Sequence, residues 1–357
     1  MNDIKVLVVD DSAFMRKMIS NILQSHIKIS VVGTARNGEE AIKKVKELSP
    51  DVITLDVEMP VMDGMTTLAE IMKVKPIPIV MLSSLTKEGA DKTFEALELG
   101  AVDFITKPSG SISLNIREIE AEIISKVIQA VKAKAKPTIN ATLPRKRMRP
   151  YLYDSSPKFT TKKGYVVALG TSTGGPRALQ QVLTVLPSNL PAPIVIVQHM
   201  PVGFTRSLAE RLNRLANIKV KEAEDGEMLE NGVAYIAPGG EQFRVKEVAN
   251  RLQVHIHKEE NRNGHQPSVD VLFESLAHVP SKELIAVIMT GMGSDGVNGL
   301  IEMKTRKPNT IIFSEAKETC VVYGMPQAAE KTKLVDSVLE LPDIPTAIVN
   351  QLKARGE

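Results

Sequence analysis

The chain has 357 residues, 43% of them hydrophobic and 24% charged, with a formal net charge of +3. That is enough for two domains of ordinary soluble composition and excludes wholesale disorder or a collagen-like fibre. Apolar runs such as residues 194–197 fall far short of the ~18 residues that cross a bilayer. The N-terminus enters a strand pattern directly, without a secretory apolar region. A single cysteine, Cys320, allows no internal disulfide, and a zinc cluster is not expected. A cytoplasmic enzyme or regulator, with no membrane insertion, is the expectation.

In chain order, residues 4–9 read as a buried strand ending in Asp10-Asp11-Ser12. A helix pattern follows through Phe14, Met15, Met18, Ile19, Ile22 and Leu23, with Ser12 as its cap. Residues 29–32 form a second strand and residues 38–48 a second helix. Residues 52–55 are a third strand ending at Asp56, residues 77–82 a fourth ending at Ser83-Ser84, and residues 102–105 a fifth ending at Lys107-Pro108. Strict alternation of strand and helix predicts a doubly wound parallel sheet.

The carboxyl ends of such strands share one edge, where ligands bind. Asp10, Asp11, Asp56, Ser83 and Lys107 all fall there. Each alone is an ordinary polar residue at a loop start. Together, three mutually repelling carboxylates suit a hard cation such as Mg²⁺, and a lysine with a hydroxyl complements phosphoryl oxygens.

These residues, with Glu58-Met59-Pro60, Asp63-Gly64 and Phe104, resemble the response-regulator receiver domain over about residues 1–125. The resemblance implies that Asp56 accepts phosphate from a histidine kinase. It implies that Asp11, Asp56 and the Glu58 carbonyl hold Mg²⁺, with Asp10 acting through water. Lys107 and Ser83 would then bind the phosphoryl group and Phe104 would rotate in response. The Ser83-to-Lys107 spacing is slightly long for the simplest receivers.

Residues 136–163 carry eight basic side chains against Asp154 alone, whereas residues 1–135 (17 basic, 19 acidic) and 164–357 (20 basic, 22 acidic) are each net −2. With Pro137, Pro144, Pro150 and Pro157 and no periodicity, this segment reads as an extended linker. The expected division is a receiver over 1–125, a helix end and basic linker over 126–163, and a second domain over 164–357. Nucleic-acid binding through Arg145-Lys146-Arg147-Met148-Arg149 is the alternative. The second domain is acidic and shows no helix-turn-helix, so no nucleic-acid partner is expected.

In the second half, residues 165–169 form a strand followed by Gly170-Thr171-Ser172-Thr173-Gly174-Gly175-Pro176 and a helix pattern through Leu186. The loop fits neither the Walker A nor the dinucleotide fingerprint. Ser172 is either a helix cap or an exposed nucleophile at a sharp turn. Residues 194–197 form a strand ending in Gln198-His199-Met200-Pro201, and residues 284–289 one ending in Thr290-Gly291-Met292-Gly293-Ser294-Asp295. Asp295 alone would read as an N-cap. A second doubly wound sheet brings Ser172, His199 and Asp295 to one edge, the requirement for an activated serine. Backbone N–H groups at Thr173 and in the Met292 loop could line an oxyanion site. The chain order Ser, His, Asp disfavours an α/β-hydrolase.

This half resembles the chemotaxis-receptor methylesterase family, through residues 170–176, 198–201, 237–240, 267–273, 290–296 and 322–326. The resemblance implies a Rossmann-like methylesterase domain that hydrolyses glutamate methyl esters of chemoreceptors and deamidates their glutamines, with no cofactor for that reaction. Ser172 would be the nucleophile, His199 the base, Asp295 its orienter, and the Thr173 and Met292 N–H groups the oxyanion site. Gln242 stands where members often carry histidine. The receiver would fold back over the catalytic edge until Asp56 is phosphorylated. A receiver-controlled nucleotide-binding or DNA-binding regulator is the alternative reading. His255 and His257 alternate along one strand face, but no third metal ligand lies nearby in sequence, so no metal is expected there. His26, His265 and His278 show no partners, and Cys320 reads as a small buried apolar residue.

Overall fold

The structure, a computed structural model, describes residues 3–107, 116–133 and 164–353. The chain divides into two compact units, Met1–Arg145 and Lys146–Glu357. The basic segment 136–163 and Pro108 lie outside the described residues.

The first unit holds a parallel sheet of β1 (Ile4–Val9), β2 (Ile29–Ala35), β3 (Val52–Asp56), β4 (Ile79–Ser83) and β5 (Asp103–Thr106), in the order β2-β1-β3-β4-β5. Its helices are α1 (Ala13–Gln24), α2 (Gly38–Leu48), α3 (Gly64–Val74), α4 (Lys87–Leu99) and α5 (Ile116–Lys132). Central strands covered on both faces need apolar runs rather than alternation, and Val6, Leu7, Val8 and Val9 are all fully buried. Local chemistry starts the helices. Ser12, Asn37, Asp63 and Thr86 each accept a backbone N–H three residues ahead, worth ~1 kcal/mol apiece. β4 starts at Ile79 rather than at residue 77 because Pro78 has no N–H for the ladder, although its carbonyl accepts from Ile53.

The second unit is built on a seven-stranded parallel sheet. Its strands are β6 (Tyr165–Thr171), β7 (Ile194–Gln198), β8 (Lys219–Glu222), β9 (Val233–Ile236), β12 (Glu283–Ile288), β13 (Ile311–Glu315) and β14 (Ser337–Leu339), in the order β14-β13-β12-β6-β7-β9-β8. An antiparallel ribbon of β10 (Gln242–Val248) and β11 (Arg251–His257) is added to it. The helices are α6 (Gly175–Leu183), α7 (Phe204–Leu215), α8 (Val269–Ala277), α9 (Val297–Arg306), α10 (Met325–Lys331) and α11 (Ile344–Lys353). The ribbon alternates with period two. Phe243, Val245, Leu252, Val254 and Ile256 are buried in one core with Leu272, Phe273 and Leu276 of α8. α6 stops at Leu183 instead of reaching Leu186, since Pro187 follows and the Leu186 N–H turns back to the Leu183 carbonyl.

Both main sheets are doubly wound and parallel, as the alternation predicts. In the first, strand order reverses between β1 and β3. In the second it reverses between β6 and β12. Such switch points open a crevice at the strands' carboxyl ends. Among the described residues, no helix is long and apolar enough to cross a membrane.

Candidate active site

β6 ends at Thr171, and the chain turns through Ser172 and Thr173 into α6. The α6 cap is Gly174, with φ +80° and no side-chain capping bond, so Ser172 is not the capping serine. Ser172 is half-buried, and its backbone is held at both ends. Its N–H donates to the Thr290 carbonyl at 3.0 Å, and its own carbonyl accepts from Gly175 N at 2.7 Å. A Cβ on Gly175 would stand 1.8 Å from Gln198 Oε1, so only glycine fits there.

Gln198 joins the ends of β6 and β7. Its Oε1 accepts from Thr171 Oγ1 at 2.6 Å, and its Nε2 donates to the carbonyls of Ser172 at 3.0 Å and His199 at 3.1 Å. The His199 N–H donates to the Thr171 carbonyl at 3.2 Å. One buried amide therefore fixes the backbones of both residues. Sequence reading assigned it no role; the available signal was a polar side chain at the inner end of an apolar strand.

His199 Nε2 lies 2.8 Å from Asp295 Oδ2, and the His199 side chain is only 8% exposed. The same Asp295 oxygen accepts from Val269 N at 2.7 Å, while Oδ1 accepts from Ser268 Oγ at 2.7 Å and Asp270 N at 3.1 Å. Asp295 is thus not the cap of its own helix, α9, whose N-cap is Gly296 and which has no side-chain capping bond. It caps the neighbouring α8 instead. Asp270, in the first turn of α8, returns the arrangement by accepting the Gly299 N–H of α9 at 2.8 Å. Burial pushes the Asp295 carboxyl up, but the bonds from His199, Ser268 and Val269 outweigh it and hold it at about 2. It is a fixed anion facing the imidazole. The ring is turned so that Nε2 meets the carboxylate, the reverse of the usual triad. Nδ1 is buried and, among the described residues, has no hydrogen-bond partner.

His265, for which the sequence offered no partner, stacks on His199 with ring centroids 3.8 Å apart and planes within 8°. Gln242 supports that loop: its Nε2 donates to the His265 carbonyl at 3.1 Å, and its Oε1 accepts from Ser268 N at 2.9 Å. Gln242 is therefore a buried amide bracing the segment around Ser268.

The loop bearing Met292 runs directly beside the serine, since a Cβ on Gly291 would lie 2.9 Å from Ser172 Cβ. Thr290 Oγ1 donates to the Thr173 carbonyl at 2.9 Å and accepts from the N–H groups of Val321 and Val322 at 3.1 and 3.0 Å. It ties this loop to the serine turn. Thr290 N donates to Glu315 Oε2 at 2.8 Å, and burial raises the Glu315 carboxyl above its usual range. Cys320 is half-buried rather than fully buried, and burial pushes its thiol up, which makes it a poor nucleophile.

At the receiver edge, Asp10, Asp11 and Asp56 offer oxygens within 4.8 Å of one another. Lys107 Nζ lies 2.6 Å from Asp56 and 3.1 Å from Asp10 and, among the described residues, is the only cation meeting their inner Oδ2 atoms, which have no other partner there. Burial raises the Asp56 carboxyl to about 6, against the lowering by Lys107. The hard, oxygen-rich and under-neutralised set fits a divalent cation. Ser83 Oγ is buried and donates to the Gly89 carbonyl at 3.1 Å. Phe104 is buried, with Lys126 Nζ 5.0 Å from its ring centre. Glu58 begins the turn after β3, and its N–H donates to Asp56 Oδ1 at 3.2 Å. That turn includes Val61 at φ +71°, with Met62 N bonded to the Pro60 carbonyl, a strained γ-turn. Gly64 closes it, where any Cβ would come within 2.0 Å of the Asp56 carbonyl oxygen.

Two doubly wound domains, one with a carboxylate–lysine edge and one with a serine, histidine and aspartate edge, define a receiver-bearing hydrolase. The chain belongs to the CheB methylesterase family: that family's model matches residues 167–348, and the response regulator receiver domain matches residues 6–117. It is 54% identical to the protein-glutamate methylesterase/protein-glutamine glutaminase of Halalkalibacterium halodurans, covering 98% of this chain and 99% of the relative. It is 50% identical to the enzyme of that name from Bacillus subtilis, covering 98% and 99%. The crystal structure of the Thermotoga maritima CheB methylesterase catalytic domain matches with a TM-score of 0.51 and 42% identity, over 53% of this chain and 99% of that one. The chain is accordingly an enzyme, a carboxylic ester hydrolase carrying a response-regulator receiver.

Proposed function

We propose that this protein demethylates glutamate methyl esters, and deamidates glutamines, on the cytoplasmic helices of chemoreceptors, under control of its receiver. Ser172 Oγ attacks the ester carbonyl carbon while His199 Nδ1 takes its proton. The tetrahedral oxyanion is met by the N–H groups of Thr173 and Met292. The intermediate collapses to an acyl-enzyme, and His199 gives its proton to departing methanol. Water, activated by the same imidazole, then releases the glutamate carboxylate and restores Ser172. An amide passes through the same intermediate and releases ammonia. Asp295 stays ionised throughout and stabilises the imidazolium. The observation that carries this reading is the His199–Asp295 bond of 2.8 Å, with the opposite ring nitrogen buried and unpartnered among the described residues.

In the receiver, Asp56 accepts phosphate from a histidine kinase. Asp11, Asp56 and the Glu58 carbonyl would hold Mg²⁺, with Asp10 acting through water, and the ion when bound would supply positive charge for the phosphoryl oxygens. Lys107 and Ser83 bind the phosphoryl group, and Phe104 responds by rotating. Phosphorylation adds roughly −1.5 to −2 charge at that edge and raises esterase activity. The receiver spans 1–125, with α5 running on to Lys132 into the helix end and basic linker of 126–163 as tether, and the catalytic domain spans 164–357, in the cytoplasm. The deciding experiment is methanol release from methylated receptor membranes, with and without a phosphodonor. Release that rises with the phosphodonor, and is absent from Ser172→Ala protein, is expected. Equal release from Ser172→Ala removes the nucleophile, and deletion of residues 1–140 without gain in basal activity removes the inhibitory role of the receiver.

A further inference from the structure

The turn after β8 and the outer face of the ribbon bring together three metal-ligating side chains that ester hydrolysis does not use. His255 and His257 sit two apart on β11, so they project from the same face. The sequence offers no neighbouring third ligand, but the fold supplies Asp225. Its Oδ1 lies 3.7 Å from His255 Nδ1 and accepts the N–H of Ile256, the residue between the histidines, at 2.8 Å. One ligand atom from each residue falls within 4.8 Å of the others.

Tetrahedral Zn²⁺ with bonds of ~2.0–2.2 Å places its ligand atoms roughly 3.3–3.5 Å apart, so small side-chain rotations close this set. The two imidazoles already crowd each other, with centroids 3.5 Å apart and planes at 80°. A shared metal would turn that crowding into coordination. The residue paired with His255 across the ribbon is Arg244 of β10. Arg244 is itself engaged by Glu259 through two hydrogen bonds at 2.9 and 2.7 Å. The Ile256 N–H orients the Asp225 carboxylate, the outer support that metal-binding carboxylates use. All three side chains reach solvent, so an ion can enter.

We propose that His255, His257 and Asp225 form a transition-metal site of the zinc class, with water completing the tetrahedron. Two imidazoles and one carboxylate select a borderline metal such as Zn²⁺ over Mg²⁺, which prefers oxygen. The ion would fasten the 225–226 turn to β11, where Gly226 N already bonds to the Val254 carbonyl at 3.0 Å and Gln253 Nε2 to the Gly226 carbonyl at 2.8 Å.

The full-length protein, in excess Mg²⁺ to occupy the receiver carboxylates, is titrated with CoCl₂ and followed by visible absorption. One equivalent should bind with a tetrahedral spectrum that Zn²⁺ displaces, and Zn²⁺ should raise the unfolding midpoint. His255→Gln, His257→Gln and Asp225→Asn should each weaken binding by about tenfold or more, and His278→Gln, a solvent-exposed control, should leave it unchanged. Asp225 is exposed, so its variant keeps the test valid if a histidine variant misfolds. Absence of a stoichiometric site, unchanged affinity in Asp225→Asn and the folded histidine variants, or equal loss in His278→Gln overturns the proposal.

Discussion

Asp56 and Asp295 are both buried carboxylates at the carboxyl edge of a doubly wound sheet, yet their surroundings push them in opposite directions. Asp295 receives bonds from a hydroxyl, two helix N–H groups and an imidazole, and sits at about 2. Asp56 receives one long backbone bond and a lysine shared with Asp10, and burial lifts it to about 6. Donor count, not burial, separates them. A carboxylate whose acceptor capacity is filled serves as a permanent charge. One left short of donors stays receptive to a cation or a phosphoryl group.

The largest effect that would sharpen this contrast is on turnover. Ser172→Ala should lower methanol release by about 10⁴-fold or more with circular dichroism unchanged; Asp295→Asn, assayed the same way, should lose about 10³–10⁴-fold because the imidazolium loses its counter-charge. Asp295→Ala should also destabilise the catalytic domain by about 2–4 kcal/mol in urea unfolding, since it strands the donors of α8 and His199. That loss should shrink as pH falls from the ordinary Asp value of about 3.9 towards 2, because a carboxyl held down in the folded state stabilises only while ionised. If Asp295→Ala were neutral, the donor-count argument would fail.

Asp56 should behave in the opposite sense. Its raised value means the folded state holds a proton more tightly than the unfolded chain. That contribution is complete below about 3.9 and lost as pH rises through about 6. In Mg²⁺-free unfolding of the receiver transition, wild type should therefore lose stability relative to Asp56→Asn between pH 4 and pH 7.5, by at most about 3 kcal/mol. Added Mg²⁺ should return part of it. A constant difference across that range would break the comparison. The smallest expected effect is Gln198→Leu, which frees the Ser172 and His199 carbonyls. It should cost about 1–3 kcal/mol of stability and lower kcat more than it raises KM, read from steady-state hydrolysis.

Much of the architecture was legible from residue order. Apolar runs of four to six residues, separated by capped helical patterns, specify parallel strands, and the polar residues just beyond them lie at one edge by topology alone. Strand limits slipped where backbone chemistry intervened, as at Pro78, and of the ribbon only the strand face at His255 and His257 was read, since its pairing has meaning only against α8. At the catalytic edge the sequence could name Ser172, His199 and Asp295 but, taken singly, left Ser172 open to a capping reading and Asp295 reading as a cap. The structure assigns capping of α6 to Gly174 and turns Asp295 onto α8.

The sequence by itself determined which chemical groups stand at the ends of which strands, because the periods of helix and strand are local properties. Only tertiary structure decided who meets whom: Gln198 across two strand ends, His265 stacked on His199, Asp225 beside a histidine pair thirty residues later. Those encounters depend on side-chain reach and donor geometry between distant segments, and neither quantity is encoded in spacing along the chain.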